Sequence, residues 1–243
     1  MVIKMIDIHT HILPNIDDGA KDVAEALKMT EYLEEQGVET AVCTPHFDPT
    51  KISLEEFIGK REKAFLAIKD SKITLISGSE TLYHDFLYQY SDLTPICINN
   101  SKYLLLELPY KEVISEYEFQ SITKFMNLFN IIPVIAHIER YDCLWKNKKN
   151  IRRLMNLGCL IQVNANTIID TKKRKRAVKY IKKGLIDLIG SDCHNMTKRP
   201  PNLKDAFVII EEELGTSYCD LLNENADSIV NGIILRATTV RFI

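Results

Sequence analysis

Asp7, His9 and His11 alternate at the end of a short apolar run near the N-terminus, and a period of two puts alternate side chains on one face of a strand. Two imidazoles presented that way can reach one metal ion. The arrangement recurs far along the chain, where Ser191-Asp192-Cys193-His194 follows the apolar run 185–190 and aligns Asp192 with His194. Between them, His46 follows the run 40–44, and His137 follows the run 131–136. Five of the six histidines therefore stand at the ends of strand-like runs, and only His84, in Tyr83-His84-Asp85, does not. One histidine so placed is ordinarily a hydrogen-bonded structural residue, whereas five flanked by acids point to a metal centre.

Carboxylates complete the set: Asp17-Asp18 in the loop after the first run, Glu80 after the run 73–77, and Glu107 after Leu104-Leu105-Leu106. Taken singly, Asp17 or Asp18 could cap the helix that starts near Asp22, and Glu107 could pair with a lysine. The candidate ligands are His9, His11, Asp18, His46, Glu80, Glu107, His137, Asp192 and His194. Nine exceed the needs of one ion, so two or three divalent ions sharing a bridging carboxylate are expected. Imidazole and carboxylate without thiolate suit Mn, Fe or Zn in an open catalytic site. Adjacent ions can activate water and neutralise a phosphoryl oxygen. Arg140 and Arg199, close in sequence to His137 and His194, can donate bidentately to a phosphate. The chemistry expected is phosphoester hydrolysis, with Arg140, Arg199, Asp192 and His194 as candidate catalytic residues.

Elements that could hold these residues alternate along the chain. β-branched runs predict strands over 3–8, 40–44, 73–77, 103–106, 131–136, 159–163 and 185–190. Amphipathic segments predict helices near 22–36, 54–69, 118–130, 147–157, 171–183 and 202–214, and Gly37, Gly158, Gly184 and Gly215 each follow a helical pattern. Seven or so βα units without a linker predict one α/β domain over residues 1–243, a single irregular closed barrel whose active site lies at the C-terminal ends of the strands.

The 243 residues, 46% hydrophobic and 26% charged, have ordinary globular composition, and a net charge of −2 gives no global reason to expect nucleic acid. No apolar run approaches the roughly 20 residues of a membrane span, and the N-terminus lacks a secretory h-region. Six cysteines without a Cys-x-x-Cys pair fit reduced thiols, so a cytoplasmic protein is expected.

The motifs Asp7-Ile8-His9-Thr10-His11-Ile12-Leu13-Pro14, Asp17-Asp18-Gly19, Thr44-Pro45-His46, Pro133 to Tyr141 and Ser191-Asp192-Cys193-His194-Asn195, with Glu80, Glu107 and Arg199-Pro200-Pro201, resemble the PHP (polymerase and histidinol phosphatase) metal hydrolases. Within that family they resemble the bacterial capsule-type tyrosine-protein phosphatases, over the whole chain. The resemblance implies a PHP-type, TIM-barrel-like (β/α)7 barrel, three ions, commonly Mn, and phosphotyrosine hydrolysis by a metal-bound hydroxide. By analogy one ion takes His9, His11, Glu80 and Asp192, a second Asp18, His46 and His194, and a third Glu80, Glu107 and His137, while Arg140 and Arg199 grip the phosphate. The implied substrate is the phosphotyrosine-rich tail of a membrane-anchored tyrosine kinase controlling capsule or exopolysaccharide synthesis. Some relatives carry a basic residue where this chain has Phe47.

Two other functions fit the same residues: a histidinol-phosphatase-like enzyme acting on a small phosphomonoester, and a non-catalytic module binding the kinase tail. Cys193 and Arg199 also satisfy the Cys-x5-Arg spacing of cysteine-dependent phosphatases, but no glycine lies between them to cradle a phosphate on backbone N–H groups. The basic run Lys172-Lys173-Arg174-Lys175-Arg176, with Lys179, Lys182 and Lys183, reads first as the solvated face of an outer helix.

Overall fold

The computed structural model describes residues 5–235. Their first half comprises β1 (Met5–Thr10), α1 (Val23–Glu35), β2 (Val38–Cys43), β3 (His46–Phe47), α2 (Leu54–Ala67), β4 (Thr74–Ser77), β5 (Glu80–Leu82) and β6 (Tyr103–Glu107). The second half runs α3 (Glu116–Phe129), β7 (Ile132–Ile135), α4 (Asp142–Trp145), α5 (Lys148–Leu157), β8 (Leu160–Asn164), α6 (Ala165–Ile169), α7 (Thr171–Lys182), β9 (Leu188–Gly190), α8 (Leu203–Leu214) and α9 (Thr216–Val230). Side-chain caps start the helices where polar residues precede the apolar periodicity. Asp22 accepts from the Glu25 N–H, Ser53 from the Glu56 N–H, and Ser115 with Glu118 forms a capping box on α3. Gly37, Gly158, Gly184 and Gly215 all adopt positive φ after helices, as their spacing requires.

All the strand pairs are parallel, giving an α/β fold on a curled parallel sheet. One piece is ordered β1-β2-β4 and the other β3-β5-β6-β7-β8-β9. Cys43 pairs with Ser77 and His46 with Glu80, so β2 with β3, and β4 with β5, continue one register across short interruptions. Pro45, which has no N–H to donate, sits in the first interruption. First and last strands meet just beyond their ends: Thr10 bridges to Cys193, the His11 N–H donates to the Cys193 carbonyl at 2.9 Å, and the Asp192 N–H donates to the His9 carbonyl at 2.8 Å.

The first strand ends at Thr10 rather than Ile8, and residues 3 and 4 of the expected run lie outside the described residues. The last strand forms only over Leu188–Gly190, because Leu185 and Ile186 are spent on the turn after α7. β3 and β5 are too short to register as periodicity, and α9 lies beyond the last element that periodicity marks.

One apolar layer lies between sheet and helices, where Ala41, Leu104, Ile135, Ile161 and Ile189 pack with Leu33, Phe57, Phe125, Leu154 and Ala206. A second fills the inside of the curl, with Ile8, Val42, Leu105, Val134, Leu160 and Leu188 against Ala226, Ile229 and Val230 of α9. The Ile6 N–H donates to Asn223 Oδ1 and the Tyr103 hydroxyl to the Ile233 carbonyl, which ties α9 and the segment after it to the N-terminal ends of the strands. The opposite ends are left to the polar residues.

Gly190 lets β9 approach β1, since a Cβ there would stand 2.5 Å from His9 Cβ. Gly190→Ala is expected to lower stability by about 1–3 kcal/mol in urea denaturation, because the obstacle is the root of a side chain that cannot swing away. Gly59, inside α2 with nothing within 4 Å of its added Cβ, is the control. Gly59→Ala should raise stability by about 0.5–1 kcal/mol.

Candidate metal centre

The C-terminal ends of the strands bring the histidines together. Ring centroids of His11 and His194 are 3.9 Å apart, those of His11 and His46 4.6 Å, and those of His9 and His137 5.9 Å. Glu80, buried at the start of β5, is their common partner: its Oε2 lies 3.1 Å from both His9 Nε2 and His11 Nε2 and 3.2 Å from His46 Nδ1. Its Oε1 lies 2.6 Å from His137 Nε2.

Three overlapping groups have ligand atoms all within 4.8 Å of one another: His9, His11, Glu80 and Asp192; His11, Asp18, His46 and His194; and His46, Glu80 and Glu107. Eight of the nine expected ligands fall in these groups. His137 stands beside the third, with Nε2 3.6 Å from Glu107 Oε1. Asp18 is the most open member, its side chain 67% exposed, and Oδ1 reaches 3.5 Å from both His46 Nε2 and His194 Nε2. His84 lies elsewhere and accepts the Phe86 N–H.

Asp7 does not join the cluster. The β1–β2 register shifts between Asp7 and Thr10, so the simple alternation that would align Asp7 with His9 and His11 is broken. Its Oδ1 accepts the His9 and Ser191 N–H groups instead, and burial pushes its carboxyl up to about 6.

Residues around the ligands set which nitrogen each imidazole presents. Asp17 Oδ2 accepts from His11 Nδ1 at 2.8 Å and from the His46 N–H at 2.9 Å, and Oδ1 from the Gly19 N–H. Gln162 Oε1 accepts the His137 N–H at 2.6 Å and lies 3.4 Å from His9 Nδ1. With their Nδ1 atoms facing acceptors, His9 and His11 turn Nε2 toward each other at 3.2 Å. Asp192 Oδ2 accepts from Asn164 Nδ2 at 2.6 Å and from Arg140, and Arg199 Nη2 lies 2.6 Å away. That leaves Asp192 Oδ1 buried without a hydrogen-bond partner, 3.4 Å from His11 Nε2 and 3.5 Å from His9 Nε2. His194 Nε2 is likewise buried without one.

The donor set fits divalent cations. Converging imidazole lone pairs, unpartnered carboxylate oxygen and like-charged carboxylates need positive charge between them. Burial opposes ionisation of Glu80 and Asp192, yet the neighbouring histidines, joined by Arg140 at Asp192, hold both well below the usual carboxylate range. Burial, His11 and Arg199 press His194 down to about 4, and burial also lowers His46 and His137, so all three favour the neutral form a ligand needs. Burial and the charge of Glu80 push Glu107 up to about 7, the mark of two carboxylates competing for one counter-charge.

His137 and Asp192 both hold left-handed backbone, with φ of 31° and 54°. Such conformations cost about 1–3 kcal/mol each in non-glycine residues and collect at functional sites. Cys193, between two of the ligands, is fully buried, and burial together with Asp7 pushes its thiol well above the ordinary range. Its backbone completes the β1–β9 seam, and a thiolate nucleophile there has neither charge stabilisation nor access. Gln162 and Asn164 carry no motif signal, because buried polar residues on strands look the same in sequence whatever they orient.

The family model for capsular polysaccharide synthesis, CpsB/CapC, matches residues 5–231. Tyrosine-protein phosphatase CpsB of Streptococcus agalactiae is 33% identical over 242 residues, covering 93% of this chain and 98% of that protein. Tyrosine-protein phosphatase YwqE of Bacillus subtilis is 29% identical, covering 97% and 93%. Crystal structures of the metal-dependent tyrosine phosphatases YwqE from Bacillus subtilis and CpsB from Streptococcus pneumoniae include a chain that superposes with a TM-score of 0.80 at 27% identity, over 94% of this chain and 95% of that one. The phosphotriesterase homology protein from Escherichia coli shares the fold, with a TM-score of 0.57 at 12% identity over 95% and 99% of the two chains. With a family match running through almost all of the described residues, this chain belongs to the CpsB/CapC family of capsular polysaccharide synthesis proteins.

Proposed function

We propose that the chain is a metal-dependent protein-tyrosine phosphatase, a phosphoric monoester hydrolase. The observation that carries this reading is the pairing of three overlapping ligand groups with two arginines at Asp192 Oδ2, the oxygen turned away from the histidines. The names of its relatives CpsB and YwqE support the phosphotyrosine substrate. His9, His11, Glu80 and Asp192 would hold one ion, Asp18, His46 and His194 a second, and Glu80, Glu107 and His137 a third, with His46 also in reach of Glu107. Mn is the metal we favour, with Fe or Zn compatible with the same donors. When bound, such ions activate water for attack and neutralise charge on the phosphoryl group.

The chain's own residues do the rest. Glu80 would serve more than one ion, because each of its oxygens faces different imidazoles. Asp192 steers Arg140 and Arg199, whose side chains are about one-third exposed, to the mouth, where their remaining N–H groups can take phosphoryl oxygens. Asp17 and Gln162 hold His11 and His9 in the tautomers that aim Nε2 inward.

The sheet is consistent with an irregular (β/α)7 barrel in which β2 with β3, and β4 with β5, each count as one strand. One catalytic domain would span residues 1–243. The free cysteines, and the lack among the described residues of a helix long and apolar enough to cross a membrane, agree with a cytoplasmic enzyme acting on the tail of a membrane-anchored tyrosine kinase that controls capsule or exopolysaccharide synthesis.

Purified protein with Mn should hydrolyse a phosphotyrosine peptide, keep that activity as Cys193→Ser, and lose it with chelator or as His194→Ala. Turnover that survives chelator but not Cys193→Ser would overturn the metal mechanism, and preference for histidinol phosphate would overturn the substrate. Asp17→Asn should weaken metal affinity by about 10–100-fold in calorimetric titration, since it removes the charge beside His11 and leaves one acceptor oxygen where two now serve His11 Nδ1, the His46 N–H and the Gly19 N–H. Arg140→Lys and Arg199→Lys should each cut kcat/KM by about tenfold or more while metal content stays at the wild-type level, because a point charge cannot replace a planar fork.

A further inference from the structure

The helix regarded in sequence as a solvated basic face does not stand alone. The start of α5 and the length of α7 line one open groove of about 940 Å³, which carries nine lysine and arginine side chains against two carboxylates, Glu139 and Asp142. Asp142 is already paired with Lys146 at 2.7 Å, and Glu139 is buried and accepts the Asn164 N–H. Arg176 is committed to Trp145, donating to its carbonyl and lying over its ring. Lys148 and Lys149 of α5, and Lys172, Lys173, Lys175 and Lys179 of α7, are exposed and have no ion pair among the described residues.

Two features make this accumulation costly. Asp170 caps α7, but α5 starts from the neutral Asn147 with no acidic residue in its first turn, so Lys148 and Lys149 crowd the positive end of an uncompensated helix dipole. The chain as a whole is slightly acidic, so the positive charge is local to this groove rather than a general trend. An anion seated here would relieve the α5 end and the lysines together.

The groove also adjoins the metal centre. Glu139, in its wall, precedes Arg140, whose guanidinium bonds Asp192. Its floor is concave and includes the buried Trp145 and Tyr180, a shape that admits an extended chain and suits a flat lipid surface poorly.

We propose that this groove binds an acidic segment of the polypeptide that presents the phosphotyrosine, seating its carboxylates or further phosphates on the lysines of α5 and α7 and on the N-terminal end of α5. The identity of the occupant rests on the tyrosine-phosphatase reading; the charge of the groove does not.

The test compares the wild type with Lys172→Glu/Lys173→Glu/Lys175→Glu/Lys179→Glu, and with Lys148→Gln/Lys149→Gln as a milder second variant, all checked by circular dichroism. The ratio of kcat/KM for a Glu-rich phosphotyrosine peptide to that for free phosphotyrosine should fall at least about tenfold in the first variant, and the difference should vanish near about 0.5 M salt. In parallel, a labelled Glu-rich peptide without phosphotyrosine should bind the wild type by fluorescence anisotropy and the first variant more weakly. An unchanged ratio together with unchanged anisotropy overturns the proposal. So does loss of co-sedimentation with phosphatidylglycerol vesicles while both peptide readouts stay put, which would assign the groove to lipid. If the wild type turns over neither phosphotyrosine substrate, the phosphatase reading fails, and the anisotropy arm alone decides whether the groove binds acidic peptide.

Discussion

The rest of the centre is organised around the carboxylate of Glu80. It is buried, and four imidazole nitrogens from three separate segments lie within 3.2 Å of its two oxygens. A buried carboxylate costs several kcal/mol unless opposite charge and hydrogen bonds compensate. His9 and His11 come from the end of β1, His46 from β3 and His137 from the turn after β7, so that compensation requires the strand ends to converge. The sheet must curl for Glu80 to be tolerated at all.

Much of the surrounding structure can be read as enforcing this convergence. Arg61 of α2 reaches through the apolar layer to donate to the carbonyls of Gly78, at 3.0 Å, and Pro95, at 2.7 Å, which clamps the interruption from which Glu80 emerges. The β1–β9 seam does the same for Asp192 and His194, with Gly190 allowing close approach and the Cys193 carbonyl taking the His11 N–H. Left-handed backbone at His137 and Asp192 turns both chains inward as soon as their strands end. Packing on the far side, where α9 covers the apolar interior, offsets strain and desolvation at the polar end.

Hydrogen-bond acceptors behind the ligands explain why one cluster can hold cations and still address an anion. Asp17 and Gln162 fix the imidazoles from outside, so the lone pairs face inward. Asp192 divides its two oxygens, one facing the histidines and the other saturated by Asn164 and Arg140 with Arg199 close by. Negative charge is thus concentrated within and positive charge at the rim, the polarity that a phosphate monoester approaching bound cations requires. The basic groove beyond Glu139 extends that rim along the surface.

The amino-acid sequence by itself determined the chemistry available. Histidines and acids at the ends of apolar runs are legible because strand periodicity and helix caps are local, and nearly all of the expected ligands do converge. It also settled the main alternation of strands and helices, since Asp22, Ser53 and the capping glycines act on their own neighbours. Only the tertiary structure decided that Asp7 serves the backbone and not the cluster, because a register shift in β1 cancels the alternation that would align it with His9. It alone decided that Gln162, Asn164 and Asp17 orient ligands, and that lysines from two helices share one groove with the wall of the centre. The physical reason is the same in each case: these contacts join segments far apart in sequence, and their energy comes from burial and electrostatics that exist only once the sheet has curled.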